Sequence, residues 1–160
     1  MSMYAHRGLS KEEHLAMRLV IDKALDAAAS GDGRAGIAAA ILRDGILVGS
    51  GANHVILENN PTRHAEIVAI ERASETLGRS DLKDCILLSS LQPCEMCLAA
   101  ARFSGIRRIL FGARKRHVAR KYFAFPHMEI DQFIEAEDPI EVVGGLFEEE
   151  VLHLYADGRE

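Results

Sequence analysis

LLSSLQPCEMCLAA, residues 87–100, runs from an apolar stretch into two cysteines that stand three positions apart. The short apolar run at residues 85–89 is typical of a buried strand. Residues 94–103 predict a helix that Gly105 ends, and residues 106–111 predict a second strand. Two strands joined through a helix pair in parallel, since the crossover needs that length of chain. This stretch therefore predicts an α/β sandwich.

The first predicted helix begins at a capping box, in which Ser10 is followed three positions later by Glu13. Gly31 and Gly33 end the helical pattern. Between them, apolar residues recur at helical spacing: Leu15, Leu19, Ala24, Leu25 and Ala28.

The rest of the chain alternates strand and helix signals, with no repeat, low-complexity segment or long linker. Asp44-Gly45 between two apolar runs is a hairpin signal. We therefore predict a single domain over residues 1–160. The further predicted elements are strands over residues 36–42, 46–53 and 140–143, helices over residues 64–77 and 146–155, and a weak helix near Asp131.

The composition is that of an ordinary globular protein, with 48% hydrophobic and 27% charged residues in 160. No apolar run approaches the roughly 20 residues that a bilayer demands, so we predict no membrane span. Residues 1–10 lack the pattern of a secretory signal, and a cytoplasmic location follows as the expectation. The net charge of −5 argues against a nucleic-acid partner, because proteins that grip a phosphate backbone usually carry a basic excess.

Cys94 and Cys97 admit three interpretations: a disulfide, a redox pair, or part of a metal site. In a reducing compartment a structural disulfide is improbable, and Cys-x-x-Cys indicates metal binding or redox activity. Cys94 follows Pro93 at the start of a predicted helix, where free backbone N–H groups favour a thiolate. The third cysteine, Cys85, lies in a predicted strand and is assigned to the core.

His64 and Glu66 stand earlier in the chain as His-Ala-Glu, also at a predicted helix start. Two helix N-termini on the same sheet can meet at one edge. A catalytic zinc takes three protein ligands and leaves one position for water. His64, Cys94 and Cys97 match that count and predict one Zn²⁺. Two thiolates cancel the charge of the metal, so the zinc acidifies its bound water only weakly. The site therefore needs a nearby base. Glu66 is placed to move protons without being a metal ligand.

His-x-Glu followed by Pro-Cys-x-x-Cys is the signature of zinc deaminases. The stretches PTRHAEIVAIERA (residues 61–73) and LLSSLQPCEMCLAA resemble the two motifs of the cytidine deaminase superfamily. The resemblance is to its base-deaminase branch, with bacterial guanine deaminases, yeast-type cytosine deaminase and tRNA adenosine deaminases. It runs over about residues 37–111, and IEVVGGLFEEEV (residues 140–151) is similar to the last strand and helix of several members.

The resemblance implies a three-layer α/β/α sandwich around a five-stranded mixed sheet, one Zn²⁺ per chain and a homodimer, for which the Ala-rich helix at residues 98–103 is suited. It also implies that Glu66 is catalytic and that Asn53 hydrogen-bonds the substrate, with a turn-forming role for Asn53 as the less favoured alternative. Residues 36–39 depart from the Pro-aromatic-Gly-Ala segment of relatives. The aromatic residues of segment 114–128 could cover a flat ring or complete the core. The further candidate substrate contacts are Ile37, Ala38, Ala65, Pro93, Phe123 and Phe125.

The function predicted from the residues and the resemblance is hydrolytic deamination of a free nucleobase or a nucleobase-like amino heterocycle, with release of ammonia. Cytosine, guanine and amino-triazines are the candidate substrates. A tRNA adenosine deaminase acting on a flipped base ranks below, because the basic cluster at residues 107–121 is offset by acidic residues nearer the C-terminus. The motifs are also compatible with a nucleoside deaminase, a structural zinc module or a redox dithiol protein.

Overall fold

The computed structural model describes residues 8–31 and 36–158. Gly33, most of the N-terminal stretch searched for a secretory signal, and the extreme ends of the predicted domain lie outside these ranges.

The strands of the described residues form one mixed sheet in the order β2-β1-β3-β4-β5. β1 pairs antiparallel with both β2 and β3, whereas β3, β4 and β5 are parallel. The parallel β3-α3-β4 unit is the one that residues 85–111 predict. The strands are β1 (Ala38–Arg43), β2 (Ile46–Ala52), β3 (Ile86–Leu91), β4 (Arg108–Ala113) and β5 (Glu141–Val143).

Helices cover both faces of the sheet, which confirms the three-layer sandwich. α1 (Lys11–Ala29) and α5 (Glu148–Tyr155) pack on one face, where Ala40, Leu88 and Leu110 point toward them. α2 (Ala65–Leu77) and α3 (Glu95–Phe103) pack on the other face, against the strand side chains that alternate with these along the sequence. The helix expected near Asp131 is the single turn α4 (Asp131–Ile134). No helix in the described part of the chain is long and apolar enough to cross a membrane.

α1 begins at the predicted capping box, in which Ser10 and Glu13 exchange hydrogen bonds. Glu13 is nevertheless buried, because its carboxylate also accepts hydrogen bonds from Arg108 of β4. This buried ion pair turns the Met17 side of the helix toward the sheet. Leu15 and Leu19, which helped to indicate the helix, lie on its half-exposed side at 54% and 49% exposure.

Two glycines of β2 bring α2 close to the sheet. A Cβ atom at Gly49 or Gly51 would lie 2.5 Å from the carbonyl oxygens of Ala69 and Ala65, respectively. Any larger residue at these positions would push the helix outward. The first turn of α2 therefore rests directly on the end of β2.

The remaining differences from the sequence prediction are shifts of element ends. β4 begins and ends two residues later than predicted. α5 begins at Glu148 and not at residue 146, because Phe147 takes a left-handed conformation with φ of 54°. The predicted hairpin turn is present, with positive φ at Asp44 and Gly45 as a two-residue hairpin of type I′ requires.

Candidate functional site

The predicted metal ligands meet at the N-termini of α2 and α3. His64 is the N-cap residue of α2 and Cys94 that of α3, and both have extended backbones. Cys97 lies one turn into α3 and is buried. The positive ends of two helices thus point at the same place, which favours thiolates there.

The three ligand atoms form a triangle of the right size for zinc. His64 Nδ1 lies 3.5 Å from Cys94 Sγ and 3.7 Å from Cys97 Sγ. The two sulfurs are 3.7 Å apart and are not bonded to each other. Tetrahedral zinc, with its usual bond lengths to sulfur and imidazole, would place sulfurs about 3.8 Å apart and sulfur about 3.6 Å from nitrogen. The donor set therefore fits one Zn²⁺ held by three protein ligands.

The surroundings of Cys94 favour its deprotonated form, which is the form that binds a metal. A hydrogen bond from Cys97, together with one from the His64 ring, lowers the pKa of Cys94 to about 4. Cys94 is therefore a thiolate at neutral pH. Burial raises the pKa of Cys85 to about 11, and this cysteine packs in the core with Leu87, away from the ligand group, as predicted.

Glu66 lies beside the ligands and is only 4% exposed. Its Oε1 accepts a hydrogen bond of 2.9 Å from the hydroxyl of Ser89, and its Oε2 is 3.5 Å from Cys97 Sγ. Burial raises the pKa of Glu66, and the neighbouring Cys94 thiolate raises it further. The structure thus places a carboxyl group with a high proton affinity next to the metal ligands.

A cavity of about 320 Å³ opens above these side chains. It contains the ligands His64 and Cys94, the Glu66 carboxylate, and the predicted contacts Ile37, Asn53 and Ala65. Its other walls come from Val55, Ile56, Leu91, Gln92, Lys121 and Tyr122. A cavity at the lower end of the size range of ligand pockets suits a small molecule.

Asn53 has one half of its amide fixed by the backbone. Its Oδ1 accepts a hydrogen bond from the N–H of Val55, so the Asx turn considered for this residue is present. This contact also fixes the orientation of the amide, because an N–H must meet the oxygen. The Nδ2 group has no partner among the described residues and belongs to a side chain that lines the cavity.

Four predicted contacts lie outside the cavity walls. Ala38 belongs to the opposite face of β1, in the cluster under α1. Pro93 and Phe123 line a separate depression of about 10 Å³, and Phe125 is 56% exposed. Tyr122 is the aromatic residue of segment 114–128 that reaches the cavity.

Sequence reasoning missed the wall residues Val55, Ile56, Leu91, Gln92 and Lys121. Most of them stand on irregular backbone, where no periodicity shows which side chains point inward. For Leu91 and Gln92 a signal existed, because they directly precede Pro93 and Cys94 at the end of a strand.

An α/β/α sandwich with a His/Cys/Cys metal site and an adjacent glutamate is the architecture of zinc-dependent deaminases. Residues 10–113 match the family model of the cytidine and deoxycytidylate deaminase zinc-binding region, and the chain belongs to this family.

Relatives in this family carry different activities in their names. The chain is 38% identical over 96 residues to a guanine deaminase of Bacillus subtilis, covering 59% of this chain and 62% of the relative. It is 40% identical over 78 residues to a tRNA-specific adenosine deaminase of Agrobacterium fabrum, covering 49% and 51%. The matches thus span about half to two thirds of the length of these relatives.

A solved structure matches nearly the whole chain. A guanine deaminase from Nitrosomonas europaea superposes with a TM-score of 0.76 at 26% identity, covering 96% of this chain and 95% of the other. The similarity therefore extends beyond the metal motif to the last strand and helix.

Proposed function

We propose that this protein catalyses the hydrolytic deamination of a free nucleobase or a nucleobase-like amino heterocycle of the cytosine, guanine or amino-triazine class. One water is consumed, a ring amino group is replaced by an oxo group, and one ammonia is released. The observation that carries the proposal is the small cavity of about 320 Å³ that is lined by the metal ligands His64 and Cys94 and by the buried Glu66.

The chain supplies the proton transfers of this reaction through Glu66. Zinc held by His64, Cys94 and Cys97 would activate a water molecule and stabilise developing negative charge. The Glu66 carboxylate accepts the proton of the attacking water and delivers it to a ring nitrogen. It then takes the second proton of that water from the hydroxyl group now on the ring carbon and passes it to the amino group, so that the C–N bond breaks, the oxo group forms and ammonia leaves. The Ser89 hydroxyl holds Oε1 in place and leaves Oε2 directed toward the metal ligands.

The walls of the cavity match a flat heterocycle with polar edges. Ile37, Val55 and Leu91 offer apolar surface for the faces of a ring. Asn53 presents its Nδ2 hydrogens to an acceptor, since its oxygen is occupied by the Val55 N–H. We assign Asn53 to a carbonyl oxygen or ring nitrogen of the substrate.

Internal ion pairing of the basic cluster at residues 107–121 supports a small substrate over RNA. Most of its cations already face carboxylates of the same chain and are not offered to phosphates. The pairs are Arg107 with Asp138, Arg108 with Glu13, Arg114 and His117 with Glu148, and Lys115 with Glu95. With a net charge of −5, the protein lacks the electrostatic surplus that drives nucleic-acid binding.

A tRNA adenosine deaminase is the second candidate, because several relatives carry that name. Ammonia release should be measured with zinc-loaded protein on cytosine, guanine, adenine, their nucleosides, amino-triazines and a tRNA transcript. We expect turnover of a free base or triazine. Turnover of the tRNA alone, or tight tRNA binding at physiological salt, would overturn the proposal. Faster turnover of a nucleoside than of its free base would replace the proposed activity by that of a nucleoside deaminase.

A redox dithiol or a structural zinc module makes opposite predictions for the same sample. A dithiol protein would lose its activity on zinc loading and cycle to a disulfide. A structural zinc would leave Glu66→Ala without any effect except on stability.

We also propose that residues 1–160 form a single domain in a cytoplasmic homodimer. Both core clusters share one sheet, and all three cysteines are free, as a reducing compartment requires. Phe103 at the end of α3 is 94% exposed, and the neighbouring Ala99 and Ala100 are small enough for close helix contact. Sedimentation should show a dimer for the wild type and a monomer for Phe103→Asp, whereas a wild-type monomer would refute the dimer.

A further inference from the structure

Residues 114–128, which we call the strap, contribute one wall of the cavity. Lys121 and Tyr122 of the strap line the cavity, yet the strap contains only two short 3-10 turns, Lys115–His117 and Arg120–Tyr122. Irregular backbone needs partners from elsewhere to hold one conformation. The contacts of the strap therefore decide where this wall stands.

Two side chains that flank the metal ligand Cys94 hold the strap. Gln92 Oε1 accepts a hydrogen bond of 3.0 Å from the backbone N–H of Lys115. The Glu95 carboxylate accepts backbone N–H groups of Ala124 and Phe125, at 3.2 and 3.1 Å and one on each oxygen. These contacts lie on either side of the two residues that reach the cavity.

Glu95 is built into this position as a buried anion. It is 7% exposed, and Lys115 Nζ lies 4.0 Å from its Oε1. The same ammonium group donates to the carbonyl oxygens of Phe125 and Met128 and stands over the ring of Phe123. A buried carboxylate is retained only where donors compensate it, and these donors all belong to the strap.

The other end of the strap is attached to α5. Arg114 and His117 donate to Glu148 in the first turn of that helix, and Ala119 N–H donates to the carbonyl of Tyr155. The strap is thus held at its start by α5 and Gln92. The part that follows Tyr122 is held by Glu95 and Lys115.

We infer that Glu95 is a positioning residue, which ties the strap to the start of α3 beside the ligand Cys94 and keeps Lys121 and Tyr122 in the cavity wall. The inference rests on the proposed function only for its kinetic consequence. Its structural consequence is independent of any substrate: the amides of Ala124 and Phe125 are protected because Glu95 accepts their hydrogens.

The test combines hydrogen exchange with kinetics on zinc-loaded Glu95→Ala. We expect the amides of the strap after Tyr122 to exchange faster, while one zinc per chain is retained. On the base that the wild type turns over, KM should rise about tenfold with a smaller change in kcat, the equivalent of one lost hydrogen bond to a charged group. Glu95→Gln keeps one acceptor oxygen and should fall between the wild type and Glu95→Ala. Glu137→Ala, at an exposed site near the sheet edge, is the matched control.

Lys115→Met removes the ammonium group that faces Glu95 from the strap side and leaves Glu95 and the metal ligands themselves unchanged. It should reproduce the faster exchange and the rise in KM, with zinc unaffected. Unchanged exchange and KM in both variants would overturn the inference, as would zinc loss in Glu95→Ala with a normal Lys115→Met. If the wild type turned over none of the bases, the proposed function would fail, and hydrogen exchange would still decide the role of Glu95.

Discussion

The floor and the walls of the cavity are built in different ways. By the floor we mean His64, Glu66 and Cys94, which line the cavity, together with the fully buried ligand Cys97 behind them. Their backbones belong to the first turns of α2 and α3 or cap them. The walls include residues 53–56 and the strap residues Lys121 and Tyr122, which stand on irregular backbone. Exposure differs accordingly: Glu66 is 4% exposed, whereas Ile56 is 69% exposed.

This difference separates chemistry from selectivity. Groups that bind a metal or move protons must stay within a few tenths of an ångström, and helices packed on a sheet provide that precision. Walls on loops can change without disturbing the floor. That one family contains relatives named guanine deaminase and tRNA-specific adenosine deaminase is consistent with a common floor under different walls.

The largest effect is expected from removing a floor ligand. Cys97→Ala should weaken zinc binding by more than about 100-fold, since even an outer partner of a metal ligand is worth about 10–100-fold. Ammonia release should disappear with the metal, and chelation of the wild type should do the same. Cys85→Ala is the control. Zinc analysis after dialysis checks both variants, and a Cys97→Ala protein that kept its zinc would refute the ligand set.

A smaller effect is expected from Asn53, a wall residue with a fixed amide. Asn53→Asp keeps an oxygen for the Val55 N–H but loses the Nδ2 donor. We expect KM to rise about tenfold, the cost of one hydrogen bond to substrate, with zinc content unchanged. Steady-state kinetics measure this. If Asn53→Asp behaved like the wild type while Asn53→Ala was impaired, Asn53 would serve the turn and not the substrate.

The smallest effect is expected from the ion pairs that stiffen the other wall. Arg63 contacts Glu58 and Glu71, and Glu58 also accepts a hydrogen bond from the His54 ring. Exposed pairs contribute little, so Arg63→Ala should raise KM by only about two- to fivefold. Arg79→Ala, which breaks an exposed pair with Asp84 outside the cavity lining, should leave KM unchanged. A loss of zinc in Arg63→Ala would show that floor and wall are not separable.

The same difference explains what the sequence could predict. His64, Cys94 and Cys97 were predictable because metal ligands need particular residue types, here at helix starts marked by a proline and a motif. The sandwich was predictable because strand and helix periods are local. Part of the walls was not, because Val55, Ile56 and Lys121 reach the cavity through turns such as the one that Asn53 caps. The inward face of α1 was obscured by Glu13, whose burial depends on Arg108 in a strand far along the chain.

The most direct measurement is ammonia release by the zinc-loaded wild type and Glu66→Gln over the same bases, with Glu75→Gln on the exposed side of α2 as control. The account predicts that the wild type and Glu75→Gln turn over one free base or triazine. Glu66→Gln should bind one zinc and be about 10²- to 10⁴-fold slower, the usual contribution of a proton-transfer residue. Equal rates for Glu66→Gln and wild type, or no turnover by zinc-bound wild type, would contradict it.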